Sequence, residues 1–141
     1  MDVEWVMLAD RAEILGNKLY VMGGGWDVVT VLGPLPAQHL CGIAASFLAD
    51  WNNDTNRPHD VEVEVQSEDG VQIWAMRGQL EVGRPPGIRP GQRQRTQIAA
   101  NLGLSLPTLG TYVVIARVGD EELARVQFNV VAGQTPAPPL G

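Results

Sequence analysis

Apolar and polar residues alternate one for one along most of this chain, and no long segment with the 3.6-residue period of a helix competes with that pattern. Val61, Val63 and Val65 interleave with Glu62, Glu64 and Gln66, as in a strand with one buried face and one wet face. Ala124, Val126, Phe128 and Val130 interleave in the same way with Arg125, Gln127 and Asn129. Residues 112–116, Tyr-Val-Val-Ile-Ala, are apolar on both faces and predict a central strand. Residues 3–9 are apolar at most positions and predict a first strand. A chain patterned like this buries its apolar surface between sheets.

Turn residues divide the pattern. Gly16-Asn17 closes a short loop, Glu68-Asp69-Gly70 predicts a hairpin turn, and Gly119-Asp120 predicts another between the last two strands. The strands expected are 3–9, 18–23, 26–32, 40–49, 60–67, 71–82, 92–102, 111–118 and 122–131. Only Arg11-Ala12-Glu13-Ile14 admits a helical turn. Many short strands at regular spacing predict an all-β, antiparallel β-sandwich of about 8–9 strands. The closing run, Leu106-Pro107-Thr108-Leu109-Gly110-Thr111-Tyr112, then a hairpin, then Phe128-Asn129-Val130-Val131, fits the last strands of an immunoglobulin-like fold. The expected organisation is one domain over residues 1–131 and a proline-rich, disordered tail over 132–141.

Composition narrows the partners. A domain of 141 residues with 45% hydrophobic content can bury a core without disulfides. Its single cysteine, Cys41, predicts a reducing, cytoplasmic setting, and the acidic start at Asp2 and Glu4 lacks the pattern of a secretory signal. No apolar run reaches the length that spans a bilayer, so no membrane partner is expected. A formal charge of −6 disfavours nucleic acid, whose binding depends on neutralising phosphates. The local exception is Arg84, Arg89, Arg93 and Arg95, which could guard a sheet edge or dock an acidic partner.

The most unusual local feature is Gly23-Gly24-Gly25 followed by Trp26 and Asp27. Neither the spacing nor a following helix fits a phosphate loop or a dinucleotide fingerprint. Three glycines could still form a small anion nest. The structural reading is a tight corner at which Trp26 packs across the glycines and Asp27 satisfies backbone groups.

Other chemistry is sparse. His39 and His59 have no metal-ligand spacing, and no serine occupies a nucleophile elbow. Cys41 with His59 and Asp60 could be drawn as a thiol triad, but a cysteine among Leu40, Ile43 and Ala44 is expected to have a raised pKa and be inert. The loop 50–56, Asp-Trp-Asn-Asn-Asp-Thr-Asn, is oxygen-rich without the order of a calcium loop. No catalytic set, metal or cofactor is expected. Trp74 has the parity opposite to Val71, Ile73 and Ala75, so it faces either outward as an interface anchor or into a second core.

Met7-Leu8-Ala9-Asp10, Gly16-Asn17-Lys18-Leu19-Tyr20, Gly23-Gly24-Gly25-Trp26-Asp27, Asn56-Arg57-Pro58-His59, Val82-Gly83-Arg84-Pro85-Pro86-Gly87 and Gly110-Thr111-Tyr112 together resemble a family of small bacterial proteins of unknown function. That resemblance spans nearly the whole chain and implies a stand-alone, cytoplasmic, all-β domain. It supplies no catalytic residues. The expected function is a non-enzymatic protein-interaction or assembly module, with a protein partner or self-association. The alternative is a small-ligand or carbohydrate-binding module using tryptophans near residues 23–25 and 50–56.

Overall fold

In a computed structural model, which describes residues 1–134, the alternating segments form ten β-strands. No helix occurs among the described residues. The strands are β1 (Asp2–Ala9), β2 (Arg11–Leu15), β3 (Lys18–Met22), β4 (Val28–Val31), β5 (Ala37–Ala49), β6 (Pro58–Ser67), β7 (Gln72–Glu81), β8 (Gln94–Leu106), β9 (Gly110–Val118) and β10 (Glu121–Ala132). They form a three-stranded sheet of order β1-β5-β8, a five-stranded sheet of order β4-β10-β9-β6-β7, and the separate hairpin β2-β3.

The period-2 pattern puts one face of each larger sheet into a shared core. From the three-stranded sheet come Val6, Leu8, Cys41, Ile43, Ala45, Phe47, Leu104 and Leu106; from the five-stranded sheet, Val29, Val61, Val63, Val65, Tyr112, Val114, Phe128 and Val130. Strand β1 lies against β9 and β10, which brings the two sets together. Each large side chain buried this way contributes about 1.5–3 kcal/mol of transfer free energy.

The hairpin β2-β3 covers part of the outer face of the three-stranded sheet. Its two-residue turn is Gly16-Asn17, with φ of 56° and 62°, the conformation of the tight turns that match strand twist. Ala12 and Ile14 alternate with Arg11 and Glu13, so one face of β2 can be buried and the other wet. Asn101 of β8 fixes the hairpin in place. Its Oδ1 accepts from the Ala12 N–H at 3.0 Å and its Nδ2 donates to the Ala12 carbonyl at 3.0 Å, much as a neighbouring strand would. The close approach also needs Gly42, paired with Asn101, because a Cβ there would sit 2.7 Å from the Ala12 nitrogen.

Several expectations change. Arg11–Leu15, outside the nine expected strands, is itself a strand, and it raises the count to ten. Not every pairing is antiparallel: β4 runs parallel to β10, with Val29 opposite Val130. Strand β4 begins at Val28, because Trp26 and Asp27 belong to the corner, and β8 continues to Leu106. Ala132 closes β10, and residues 135–141 of the expected tail lie outside the described residues.

Candidate functional site

The glycine corner ties the hairpin to the end of β1. Gly23 and Gly25 have φ of 60° and 82°, the left-handed region that side chains disfavour. The Asp10 N–H donates to the Met22 and Gly23 carbonyls at 3.0 and 3.1 Å, and the Gly25 N–H donates to the Leu8 carbonyl at 2.8 Å. A Cβ on Gly23 would collide with the Asp10 carboxylate, and one on Gly24 would lie 2.7 Å from Val21 Cγ1. An anion placed here would meet the Asp10 charge and find the Gly25 amide already used. Trp26 packs at the edge of the shared core. It meets Phe128 edge-on at 5.7 Å and His39 at 5.2 Å between ring centroids. The role expected of the Asp27 carboxylate falls instead to its backbone carbonyl, which accepts from Asn129 N–H at 2.8 Å.

Three of the four arginines are held within the fold. The Arg84 guanidinium lies 4.2 Å above the Trp51 ring and donates to the Trp51 carbonyl and Thr55 Oγ1. Arg93 pairs with Asp2, and Arg95 forms a forked pair with Glu4. Of the four, only Arg89 has neither an ion pair nor a side-chain hydrogen bond among the described residues, so the four do not make one free basic patch. Trp74 pairs with Val65 and packs against the shared core. The sequence parity fails because the register slips between Val65 and Gln66, where Ile73 is an extra residue on β7.

In the loop 50–56 the carboxylates serve the backbone and the first residue. Asp54 accepts from the Met1 ammonium at 2.7 Å and from the Asp50 N–H at 2.6 Å, while Asp50 accepts from Asn53. Burial works to raise the Asp54 carboxyl pKa, but these hydrogen bonds and the ammonium charge outweigh it and hold it below the usual range. Stability from a depressed carboxyl is present above its unfolded pKa and is lost as pH falls through the folded one. The urea midpoint is therefore expected to drop on acidification below the ordinary carboxylate range. Asp54→Asn should remove part of that dependence; parallel pH profiles for the two proteins would contradict the assignment.

Cys41 faces the core from β5, and burial, helped by the Asp10 charge, pushes its thiol up to about 11. His59 stands at the start of β6, where its Nε2 lies 2.8 Å from the Asp54 carbonyl, and Asp60 bonds Gln79. A thiol so protonated is a poor nucleophile.

The outer face of the five-stranded sheet divides sharply in chemistry. Around β6 and β7 it is a ladder of charges: Arg117 Nη1 bridges Glu62 at 2.7 Å and Glu64 at 2.5 Å, and Arg77 pairs with Glu62. Burial favours neutral Glu64, but hydrogen bonds from Gln66 and Arg117 prevail and lower its pKa. Around β4 and the end of β10 charge is sparse, with Asp27 at the head of β4 as the exposed exception. Residues 28–38, 102–116 and 126–134 contain no Asp, Glu, Lys or Arg, and strand pairing gathers them at one corner.

Five of the ten large hydrophobic side chains exposed among the described residues collect there: Val28, Leu32, Leu35, Leu109 and Val131. Thr30 and Leu32 lean over Gly133, where a Cβ would lie 2.6 Å from each side chain. A groove of about 390 Å³ runs beside them, lined by Val29–Leu32, Pro34, Pro36 and His39. Burial holds His39 below its usual pKa, with the Asp10 charge opposing, and neither His39 Nε2 nor Trp26 Nε1 has a hydrogen-bond partner. Sequence reasoning passed over this corner; the uncharged run 28–38 was its visible trace.

The model of DUF6941, a family of unknown function, matches residues 4–131, so the chain belongs to that family. No curated protein matches the chain. No helix among the described residues is long and apolar enough to cross a membrane.

Proposed function

We propose that this member of DUF6941 is an immunoglobulin-like β-sandwich that works as a non-enzymatic protein-interaction or assembly module. Three features support the fold reading. The edge at the start of the chain is split, with β1 in one sheet and β4 in the other, parallel to the last strand. The strand orders β1-β5-β8 and β4-β10-β9-β6-β7 match the two sheets of such a fold, with β2-β3 as an insertion. At the start of β9 the Tyr112 hydroxyl donates to the Thr108 carbonyl at 2.7 Å, the bond that marks a tyrosine corner.

The observation that carries the functional reading is this charge-poor corner, which concentrates half of the large hydrophobics exposed among the described residues beside a sheet edge. Small-ligand or sugar binding has less support, because Trp26 is committed to Phe128 and His39 and Trp51 lies beneath Arg84. The lone buried thiol suits a reducing, cytoplasmic setting.

Site-specific photo-cross-linking in cells producing the protein tests the reading. A cross-linking residue at Leu32 is expected to give discrete protein adducts, identified by mass spectrometry, that the same residue at exposed Glu121 does not give. No adducts at Leu32, or the same diffuse set at both positions, would overturn it.

A further inference from the structure

We propose that two copies of this chain pair through the free edge of β4, forming an antiparallel dimer whose two-fold axis passes Thr30. The geometry of the parallel β4–β10 ladder decides which groups are free. Asn129 N–H donates to the Asp27 carbonyl and Gly133 N–H to the Val31 carbonyl, each at 2.8 Å. Residues 27, 29 and 31 therefore turn their backbone groups toward β10. By strand alternation, Val28, Thr30 and Leu32 turn theirs away from the sheet. Unpaired edge groups of this kind are a template for another strand, and natural edges are usually blunted by charge, proline or a bulge. Residues 28–32, Val-Val-Thr-Val-Leu, carry no charge and no proline.

The choice of a second copy rests on the sequence of that edge. Read in either direction from Thr30, the strand is apolar: Val29 and Val31 on one face, Val28 and Leu32 on the other. A two-fold axis at Thr30 sets Thr30 against its own copy and Val28 against Leu32 of the mate. Each such pair then exchanges N–H···O bonds reciprocally, which is the self-complementarity an isologous contact requires. The outward side chains Val28, Thr30, Leu32 and Val131 would join into one apolar stripe across the axis, and two five-stranded sheets would become continuous. Each copy carries a formal charge of −6 and the exposed Asp27 adjoins the strand, so like copies repel as they approach. Added salt should therefore strengthen the pairing.

This inference rests on the interaction reading above and makes a separate prediction. Sedimentation equilibrium of the full chain from micromolar to millimolar concentration is expected to show a dimer. Thr30→Pro deletes an N–H that points away from β10, so the fold is kept while association falls at least about tenfold. Should that variant fail to fold, Thr30→Lys places a charge on the exposed face, against its own copy, and is expected to give the same loss.

A wild-type chain that stays monomeric at millimolar concentration, or dimers unchanged in both variants, would overturn the proposal. Adducts to other proteins from Leu32, with a monomeric chain, would remove the dimer and leave the interaction reading standing. No adducts at all would remove that reading.

Discussion

Gly42→Val is expected to destabilise the protein by about 3–5 kcal/mol, although intrinsic strand preference favours valine at a mid-strand position. The structure reverses the sign. A Cβ at residue 42 would sit 2.7 Å from the Ala12 nitrogen, 2.9 Å from the Arg11 carbonyl carbon and 3.0 Å from Asn101 Oδ1. Two of these atoms belong to backbone, so the clash cannot be relieved by turning a side chain. Strand β2 must lift, and lifting it breaks the paired hydrogen bonds between Asn101 and Ala12. Each of those is worth about 1 kcal/mol, and the overpacking adds about 1–3 kcal/mol.

Urea unfolding reads the total, and amide exchange at Ala12 reads the cause. Gly78→Ala is the control: it lies in β7 with open space where its Cβ would go, and is expected to stay within about 0.5 kcal/mol of wild type. A Gly42→Val protein with a wild-type midpoint would show that β2 does not lie on β5.

The same residue shows where sequence reading stops. Alternation around Val61–Gln66 and Ala124–Val130 is a local signal, and the strands it predicts are present. Gly42 sits in the run Leu40-Cys41-Gly42-Ile43-Ala44 with no turn partner to mark it, and its role depends on a backbone thirty residues away. Trp74 fails for a related reason. Parity predicts its face only if the register is unbroken, and one extra residue at Ile73 reverses it. The arginines look like a patch because sequence shows their neighbours but not Asp2 and Glu4, their partners some ninety residues away. The charge-poor corner was half legible. Residues 28–38 are visibly without charge, but only the β4–β10 and β9–β10 pairings bring residues 126–134 and 109 to the same place.

Phe128→Ala is expected to cost about 3–5 kcal/mol, the usual range for emptying a fully buried aromatic position. Phe128 is wholly buried, stacked on Tyr112 with centroids 5.3 Å apart and met edge-on by Trp26. Small domains have only about 5–15 kcal/mol of net stability, so the loss should lower the urea midpoint severely or remove the cooperative transition.

The damage should also be directional. Phe128 backs Trp26, and the chain passes from Trp26 directly into β4, whose hold on β10 includes the bonds from Asn129 and Gly133 to the Asp27 and Val31 carbonyls. In whatever fraction stays folded, exchange at the Asn129 and Gly133 amides should rise more than at amides paired between β6 and β9, such as those around Val63 and Ala116. A cost below about 1 kcal/mol would deny Phe128 its place in the shared core. A uniform rise in exchange across the sheet would deny that it supports the β4 edge in particular, and with it the link between core packing and the surface proposed to meet a partner.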